Sequence, residues 1–383
     1  MDAPYSSSRN SFHLMRFVLA ALVILCHSFT LLGRTTPLSA LTGGLMNEGT
    51  LAVDGFLTIS GFLICQSAVR SRNALTFLGK RLARILPAFC CALAFSALLV
   101  GALVFPGDVV SYVRQGEGGP LTWIVNWLTL NVMPEQWGVS GVFAGNPTTS
   151  LNVSLWTIKF EFALYLVMAL LMLTTLSRRR ATYIVCFSVF LILRTLLIPF
   201  GVRLWDVYDT RLWLLSHWNY DRLTETGLFF FTGTLLYAYR QEIPRRWYLA
   251  VIALLALVVC GFFRFVPAQV DAAQDEATRL MWQLGELPLR LVYCAALPCL
   301  VIYLGGSPLC SGFSRLGDLS LGMYVYSYPI QQMIIFCAPE ITPLPLFALT
   351  LAIVLPLAAW SWRTIEAPVL RLKQLKQRSG AER

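Results

Sequence analysis

The sequence predicts an all-α, polytopic integral membrane protein with about ten transmembrane helices and both termini in the cytoplasm. Of its 383 residues, 57% are hydrophobic and only 13% are charged, and the mean hydropathy is +0.65. Charged residues make up about 25% of a typical soluble domain, so a soluble chain of this composition would leave much apolar surface uncovered. A membrane β-barrel is disfavoured too, because its strands alternate instead of forming solid apolar blocks.

Apolar runs close to the roughly 20 residues that cross a bilayer as a helix recur along the whole chain. They fall at about 13–33, 51–70, 83–105, 153–176, 182–200, 225–240, 247–266, 284–304, 316–338 and 344–362. No separate soluble domain interrupts them. We therefore expect residues 1–370 to form a single membrane domain and residues 371–383 to form a short basic cytoplasmic tail.

The basic residues are concentrated in alternate loops. They include Arg70, Arg72, Lys80, Arg81 and Arg84 after the second run, Arg178, Arg179 and Arg180 after the fourth, and Arg240, Arg245 and Arg246 after the sixth. Lys and Arg are retained on the cytoplasmic side of a membrane, so this pattern places both termini inside. It also accounts for the net charge of +10 without nucleic-acid binding.

Two predicted outer loops, at about 106–150 and 201–224, are rich in aromatic residues. These are Trp123, Trp127 and Trp137 in the first loop, and Trp205, Tyr208, Trp213, Trp218 and Tyr220 in the second. Partition to the bilayer interface explains such aromatics. A platform for stacking sugars, with Asp206, Asp209, Asn219 or Asp221 binding hydroxyls, explains them equally well.

The ten cysteines form no CxxC pair, and most lie inside apolar runs. A free cysteine behaves there as a small hydrophobic residue. We therefore expect neither a disulfide framework nor a metal site.

Two polar residues of the first run are spaced to share one helix face. Arg16 and His27 are eleven residues apart, which leaves them within about 20° of one direction and roughly 16 Å apart along the axis. With the N-terminus inside, Arg16 lies at the cytoplasmic mouth and His27 beyond the midplane. Ionisable residues inside spans usually mark functional sites, and histidine exchanges protons near neutral pH. The alternative is a core histidine hydrogen-bonded to a neighbouring helix.

Further charged groups lie near the predicted inner and outer ends. Arg81 and Arg84 share a face at the cytoplasmic start of the third run, where they suit phosphates but also fit an ordinary positive-inside collar. Glu161 lies about 12 Å from the outer end of its helix; it orients an imidazole, binds an acceptor hydroxyl or pairs with Lys159. Asp54 lies at the outer start of the second run. It is a further candidate functional residue, and the alternative is that it caps the helix.

This arrangement has a direction. Arginines at the inner mouth suit a donor that carries phosphates, and a base with a carboxylate toward the outside suits an acceptor hydroxyl. A proton-coupled transporter or exporter of a glycan or small acid also needs intramembrane His and Glu, so both classes stay open at this point.

Six short motifs occur in a fixed order along the chain. They are Arg16 and His27 separated by ten residues; 53–64, containing Asp54 and Ser60-Gly61-Phe62; Arg81-x-x-Arg84-Ile85-Leu86-Pro87; Ser154-Leu155-Trp156-Thr157 with Glu161 and Tyr165; Gly317 to Tyr324 followed by Pro329; and Glu366-Ala367-Pro368. Together they resemble the acyltransferase-3 family of integral membrane O-acyltransferases, in its sugar O-acetyltransferase-like branch without an appended hydrolase domain.

The resemblance implies transfer of an acyl group, usually acetyl, from cytoplasmic acetyl-CoA or another acyl-CoA to a carbohydrate hydroxyl, by a multi-pass protein of a bacterial inner (plasma) membrane. Exopolysaccharide, O-antigen, a lipo-oligosaccharide and a glucan all suit as acceptors. The implied roles are catalysis for His27 and Glu161, acyl-CoA binding for Arg16, Arg81 and Arg84, and substrate binding for Asp54, Trp156, Tyr165 and Tyr324.

One position departs from the family pattern. Many members carry a histidine two residues before the late proline, where this chain has Ser327. Any mechanism here therefore has His27 without that second histidine. His27 then acts either as a general base on the acceptor hydroxyl or as a nucleophile that carries the acyl group.

Overall fold

The computed structural model describes residues 10–44, 46–130, 136–194, 220–244, 246–262, 287–308, 312–313 and 317–372. Within these ranges the chain is helical and forms no sheet; a single bridge joins Gly138 to Ser150. The α-helices are α1 Phe12–Thr30, α2 Pro37–Leu41, α3 Glu48–Arg70, α4 Ala74–Ala94, α5 Gly101–Val104, α6 Val109–Val113, α7 Pro120–Leu128, α8 Trp156–Leu173, α9 Arg180–Ile192, α10 Tyr220–Ala238, α11 Trp247–Phe262, α12 Leu287–Gly305, α13 Ser320–Cys337 and α14 Pro343–Ser361.

Each of the ten predicted apolar runs overlaps at least one of these helices. Six continuous helices of the described chain are long and apolar enough to cross a bilayer: Phe12–Thr30, Glu48–Arg70, Ala74–Val104, Val153–Leu173, Pro288–Gly305 and Pro343–Leu372. Arg180–Ile192 and Trp247–Phe262 are apolar but shorter. The all-α polytopic membrane class is thus confirmed. The number ten and the cytoplasmic location of both termini stay predictions.

The chain divides into two compact units. The first comprises Met1–Met15, Thr36–Ala74 and Phe160–Ser311; the second comprises Arg16–Thr35, Leu75–Lys159 and Gly312–Arg383. The first therefore contains α2, α3 and α9 to α12, and the second contains nearly all of α4 with α5 to α7, α13 and α14; α1 and α8 are divided between the units. Most of the predicted tail, from residue 373, lies outside the described residues.

In the first unit, α3 and α10 pack backbone to backbone through two glycines. A Cβ atom at Gly61 would lie 1.9 Å from the carbonyl oxygen of Phe230, and one at Gly233 would lie 2.1 Å from the carbonyl oxygen of Thr58. Helices inside a bilayer associate through close van der Waals contact, which small residues permit. The Ser-Gly-Phe motif of the second apolar run thus places Gly61 where only hydrogen fits.

In the second unit, α13 is a buried helix with a polar interior. Its Ser327, Gln331 and Gln332 are fully buried, and it packs on α14 at Gly322, where a Cβ atom would lie 2.9 Å from the Cβ of Ala358. Buried amides need hydrogen-bond partners. The buried amides of α13 therefore require hydrogen-bond partners on neighbouring segments of this unit.

The first aromatic outer loop is folded into the second unit. Trp123 and Trp127 are buried, with ring centroids 6.0 Å apart, and Trp137 packs edge-on against Trp127 at 5.6 Å. Because protein covers the faces of the first two rings, the sugar-stacking platform is wrong for Trp123 and Trp127. In the second loop, residues 201–219 lie outside the described residues.

Candidate active site

A single buried carboxylate, Asp318, holds two of the predicted donor-binding arginines. Arg16 donates from Nη1 to Oδ2 of Asp318 at 2.6 Å, and Arg84 donates from Nη2 to the same oxygen. The other oxygen, Oδ1, accepts from the amide and hydroxyl of Ser320, the first residue of α13. Asp318 therefore joins α1, α4 and α13; these four residues are called the Asp318 cluster below.

Two guanidinium groups share one carboxylate in the Asp318 cluster. Asp318 is 1% exposed, whereas the side chains of Arg16 and Arg84 are 21% and 22% exposed, so each arginine keeps part of its surface accessible. The Arg84 guanidinium also lies 5.5 Å above the Trp362 ring. Arg81 is half-buried one turn earlier on α4. The carboxylate and the aromatic ring limit the movement of the Arg84 guanidinium, and the role of the arginines in binding a donor stays a prediction.

His27 lies eleven residues after Arg16 on the continuous helix α1. This spacing corresponds to roughly 16 Å along the axis. The imidazole meets the Tyr328 ring edge-on, with centroids 5.2 Å apart and planes at 87°. Within the described chain, the buried Nδ1 of His27 has no hydrogen-bond partner. The core-histidine alternative, in which that nitrogen bonds a neighbouring helix, therefore has no support from Nδ1.

The turn of α1 that carries His27 is fixed by Gln331 of α13. Its Nε2 donates to the carbonyl oxygen of Ile24 at 2.9 Å and to the hydroxyl of Ser28 at 2.8 Å. Ser28 in turn donates to the carbonyl of Ile24. These bonds are buried and tie the residues on either side of His27 to a neighbouring helix, so they limit the rotation of α1 at the histidine.

The motif around Trp156 also attaches to α13. Asn152 donates from Nδ2 to the carbonyl oxygen of Val325 at 2.8 Å and to the hydroxyl of Ser96 at 3.2 Å. The hydroxyl of Tyr324 lies 3.0 Å from that of Thr157. Trp156 itself is partly buried. The Ser-Leu-Trp motif and the late Tyr324 motif are therefore in contact within the second unit.

Glu161 and Tyr165, in contrast, belong to the first unit. The Oε1 of Glu161 accepts hydrogen bonds from the hydroxyl of Ser60 at 2.8 Å and from the hydroxyl of Tyr165, one turn later on α8. Both predicted residues thus form one hydrogen-bonded group with Ser60. Their roles in catalysis and substrate binding stay predictions.

Asp54 also belongs to the first unit, and the capping alternative for it is wrong. Helix α3 begins at Glu48 and is capped by Asn47, whose side chain accepts from the amide of Thr50. Asp54 lies more than one turn inside the helix, is fully buried and accepts a hydrogen bond from Tyr293 at 2.8 Å.

The contacts of three polar residues of the second unit are not predictable from the sequence. Asp318 is part of a recognised motif, but its arginine partners lie 302 and 234 positions away. Asn152 and Gln331 are polar residues next to or within apolar runs, which is the general sign of a functional or packing role. In the described residues, no group of three or more His, Cys, Asp or Glu side chains is arranged to hold a metal ion.

Comparison with known proteins agrees with these motifs. The Acyl_transf_3 family model, described as an acyltransferase domain, matches residues 9–363. The chain is 24% identical over 366 residues to an O-acetyl transferase of Shigella phage Sf6, covering 93% of this chain and 95% of that protein. It is 25% identical over 377 residues to Nodulation protein 10 of Rhizobium leguminosarum bv. viciae, covering 96% and 95%. No solved structure matches. The chain therefore belongs to the acyltransferase-3 family and is a membrane O-acyltransferase.

Proposed function

We propose that this protein transfers an acetyl group from cytoplasmic acetyl-CoA to a hydroxyl of a cell-surface or lipid-linked carbohydrate, at a bacterial inner membrane. The observation that carries the proposal is the placement of Arg16 and His27 on one continuous helix, with Arg16 held in the Asp318 cluster. The name of the phage relative, an O-acetyl transferase, supports acetyl as the acyl group.

The Asp318 cluster is the proposed binding site for the phosphates of CoA. Arg16 and Arg84 of the cluster, with Arg81 one turn earlier on α4, supply three guanidinium groups, and forked guanidinium groups bind phosphate oxygens bidentately. The long pantetheine arm of CoA then extends along α1, so that the thioester comes near His27. The separation of roughly 16 Å along the helix suits an extended arm rather than a folded one.

His27 is the proposed catalytic residue, in one of two mechanisms. As a general base, its imidazole takes the proton of the acceptor hydroxyl while that oxygen attacks the thioester carbonyl; the C–S bond breaks and the thiolate of CoA takes the proton. As a nucleophile, an imidazole nitrogen attacks the carbonyl and releases CoA, and the acceptor hydroxyl then attacks the acyl-imidazole. In both mechanisms the edge contact with Tyr328 limits the orientation of the ring, and the Gln331 bonds hold the helix turn that carries it.

The experiment supplies acetyl-labelled CoA to membranes that contain or lack the protein, and follows label in extracted glycans by mass spectrometry. We expect a mass increase of one acetyl group on a sugar residue only when the protein is present. An exporter would change where a glycan is found without modifying it. Unlabelled glycans in membranes with active protein would overturn the proposal.

A second measurement separates the two mechanisms. Without acceptor, a nucleophilic His27 becomes acetylated, and the label is released from the protein by hydroxylamine. A general base gives no labelled protein under the same conditions. The His27→Ala variant is the control, because any label that it retains is attached elsewhere.

A further inference from the structure

The first unit contains a cavity of about 270 Å³ at one end of its helices. Helices α3, α10 and α12 begin at this end, and α9 and α11 finish there. The opposite ends of α3, α9 and α10 carry Arg70, Arg180 and Arg240. Basic residues mark the cytoplasmic side, which predicts that the cavity faces the outside; it is called the outer cavity below.

The outer cavity is lined by hydrogen-bond donors and acceptors as well as apolar atoms. Arg194 and Glu225 lie on its wall with Nη2 and Oε1 3.6 Å apart, and Arg290, Asn47 and Thr50 contribute further polar groups. The two side chains are only 25% and 28% exposed, and an ion pair removed from water regains little net stability because desolvation offsets the attraction. Stability alone is therefore a weak reason to place these charged residues around a cavity.

Asp54 supports the wall of the outer cavity from behind. It lies one helical turn below Thr50 on α3 and does not itself line the cavity. Its carboxylate accepts a hydrogen bond from the hydroxyl of Tyr293, which does line the cavity, and the Tyr293 ring packs edge-on against Phe229 at 5.7 Å. Asp54 is thus placed to fix the orientation of Tyr293 rather than to touch a ligand.

These features favour a neutral, hydroxyl-rich ligand. A sugar hydroxyl both donates and accepts, so it pairs with the Glu225 carboxylate and with the arginine N–H groups at once. The lining carries two arginines and one glutamate, and a simple anion has no donor to offer the Glu225 carboxylate. The volume of about 270 Å³ falls just below the roughly 300 to 1,000 Å³ that ligand pockets occupy, which suits a single sugar ring.

We propose that the outer cavity binds one neutral sugar residue of the acceptor glycan, through Glu225 and Arg290 with Tyr293 as an aromatic wall. This proposal rests on the proposed function, in which the acceptor is a carbohydrate. Asp54 acts through Tyr293 as a positioning residue.

Binding is tested on the purified full chain with simple glycosides. The probes are methyl α-glucopyranoside, methyl α-mannopyranoside and methyl α-rhamnopyranoside, with methyl glucuronide and inorganic phosphate as anionic comparisons. We expect at least one neutral glycoside to raise the Tm by about 2 °C or more, since a ligand that binds the folded state stabilises it. The Glu225→Gln and Arg290→Gln variants lose this shift, and the His27→Ala variant keeps it.

A matched control comes from the other end of the same unit. Arg180 and Glu242 form an ion pair there whose side chains are half exposed. The Glu242→Gln variant removes one partner of the same kind of pair, away from the outer cavity, and should keep the glycoside shift. A shift that survives in Glu225→Gln, or appears only with phosphate or the glucuronide, overturns the proposal.

A second readout does not depend on thermal stability. Thr50 is exposed at the rim of the cavity, so a Thr50→Cys variant is labelled by a membrane-impermeant maleimide and quantified by peptide mass spectrometry. Bound glycoside should slow this labelling about fivefold near 80% occupancy, and Glu225→Gln should abolish the protection. Absence of protection by every neutral glycoside rejects the sugar site.

The two proposals fail separately. If glycan acetylation requires His27 but is unaffected by Glu225→Gln, the outer cavity proposal fails and the proposed function stands. If no glycan is acetylated, the proposed function fails whatever the glycosides do.

Discussion

Replacement of Asp318 by asparagine tests whether the Asp318 cluster organises the donor site. The asparagine side chain keeps one acceptor oxygen, which can accept either from Ser320 or from the two arginines. Its NH₂ group then faces the remaining donors, which cannot donate to it. At least two hydrogen bonds are lost, and those from guanidinium groups contribute about 1.5 to 3 kcal/mol each. Because Arg16 and Arg84 are about one-fifth exposed and can turn to water, we expect a net loss of about 2 to 3 kcal/mol.

The assay combines unfolding with kinetics. We expect the Tm of the purified Asp318→Asn variant to fall by about 5 °C. Its kcat/KM for acetyl-CoA should fall at least about tenfold, which corresponds to 1.4 kcal/mol, mainly through a higher KM, because the phosphate-binding arginines lose their fixed positions. Asp108→Asn is the matched control: Asp108 is an exposed cap of α6, and asparagine caps equally well.

A double-mutant cycle with Arg16→Gln makes the test specific. Residues that share a hydrogen-bonded network show interaction energies of about 0.5 to 3 kcal/mol, so the double variant should lose less than the sum of the single losses. Additive losses, or an Asp318→Asn variant with unchanged Tm and unchanged KM, would refute this account of the Asp318 cluster.

Three further predictions follow from the packing and the charges. The Gln331→Ala variant frees the α1 turn at His27, so its kcat should fall about tenfold with little change in KM for acetyl-CoA, as steady-state kinetics would show; a pure KM effect contradicts this. The Gly61→Ala variant forces a Cβ atom against the Phe230 carbonyl and should lower stability by about 1 to 3 kcal/mol in unfolding measurements, whereas Ala at Gly145, which has open space around it, should not. The hydrogen bond from Arg180 lowers the pKa of the Glu242 carboxyl in the folded protein. Any stability from this pair is therefore fully present above the carboxyl's ordinary pKa in the unfolded chain. It is lost as the pH falls through the lowered pKa of the folded protein. Glu242→Gln should accordingly change the Tm slightly at pH 7 and progressively less as the pH is lowered below the ordinary pKa; an equal change at every pH contradicts this.

Sequence reasoning predicted the helices well because the bilayer imposes a local rule. Any run of about 20 apolar residues satisfies that rule by its own composition, and the helical period alone places Arg16 and His27 on one face of α1. The polar helix α13 shows the limit of the rule. Its buried Ser327, Gln331 and Gln332 lower its hydropathy, although the helix is packed inside the second unit.

The site could be predicted only as separate residues, because its contacts join distant parts of the chain. Nothing near Asp318 in the sequence indicates that it binds Arg16 and Arg84. Burial is equally a property of the fold: the composition of the first outer loop does not reveal that Trp123 and Trp127 are covered. The capping role predicted as an alternative for Asp54 failed because the helix begins earlier, at an asparagine that caps it.

The most direct test of the central claim compares two histidines of the same helix. Membranes that contain His27→Ala, His27→Gln or His13→Ala protein at equal, folded abundance receive acetyl-labelled CoA, and acetylation of the glycan is measured. Loss of a proton-transferring group costs about 10² to 10⁴ in rate, so both His27 variants should retain less than about 1% of the transfer, while His13→Ala stays near the parent. Substantial acetylation by His27→Ala would contradict the account.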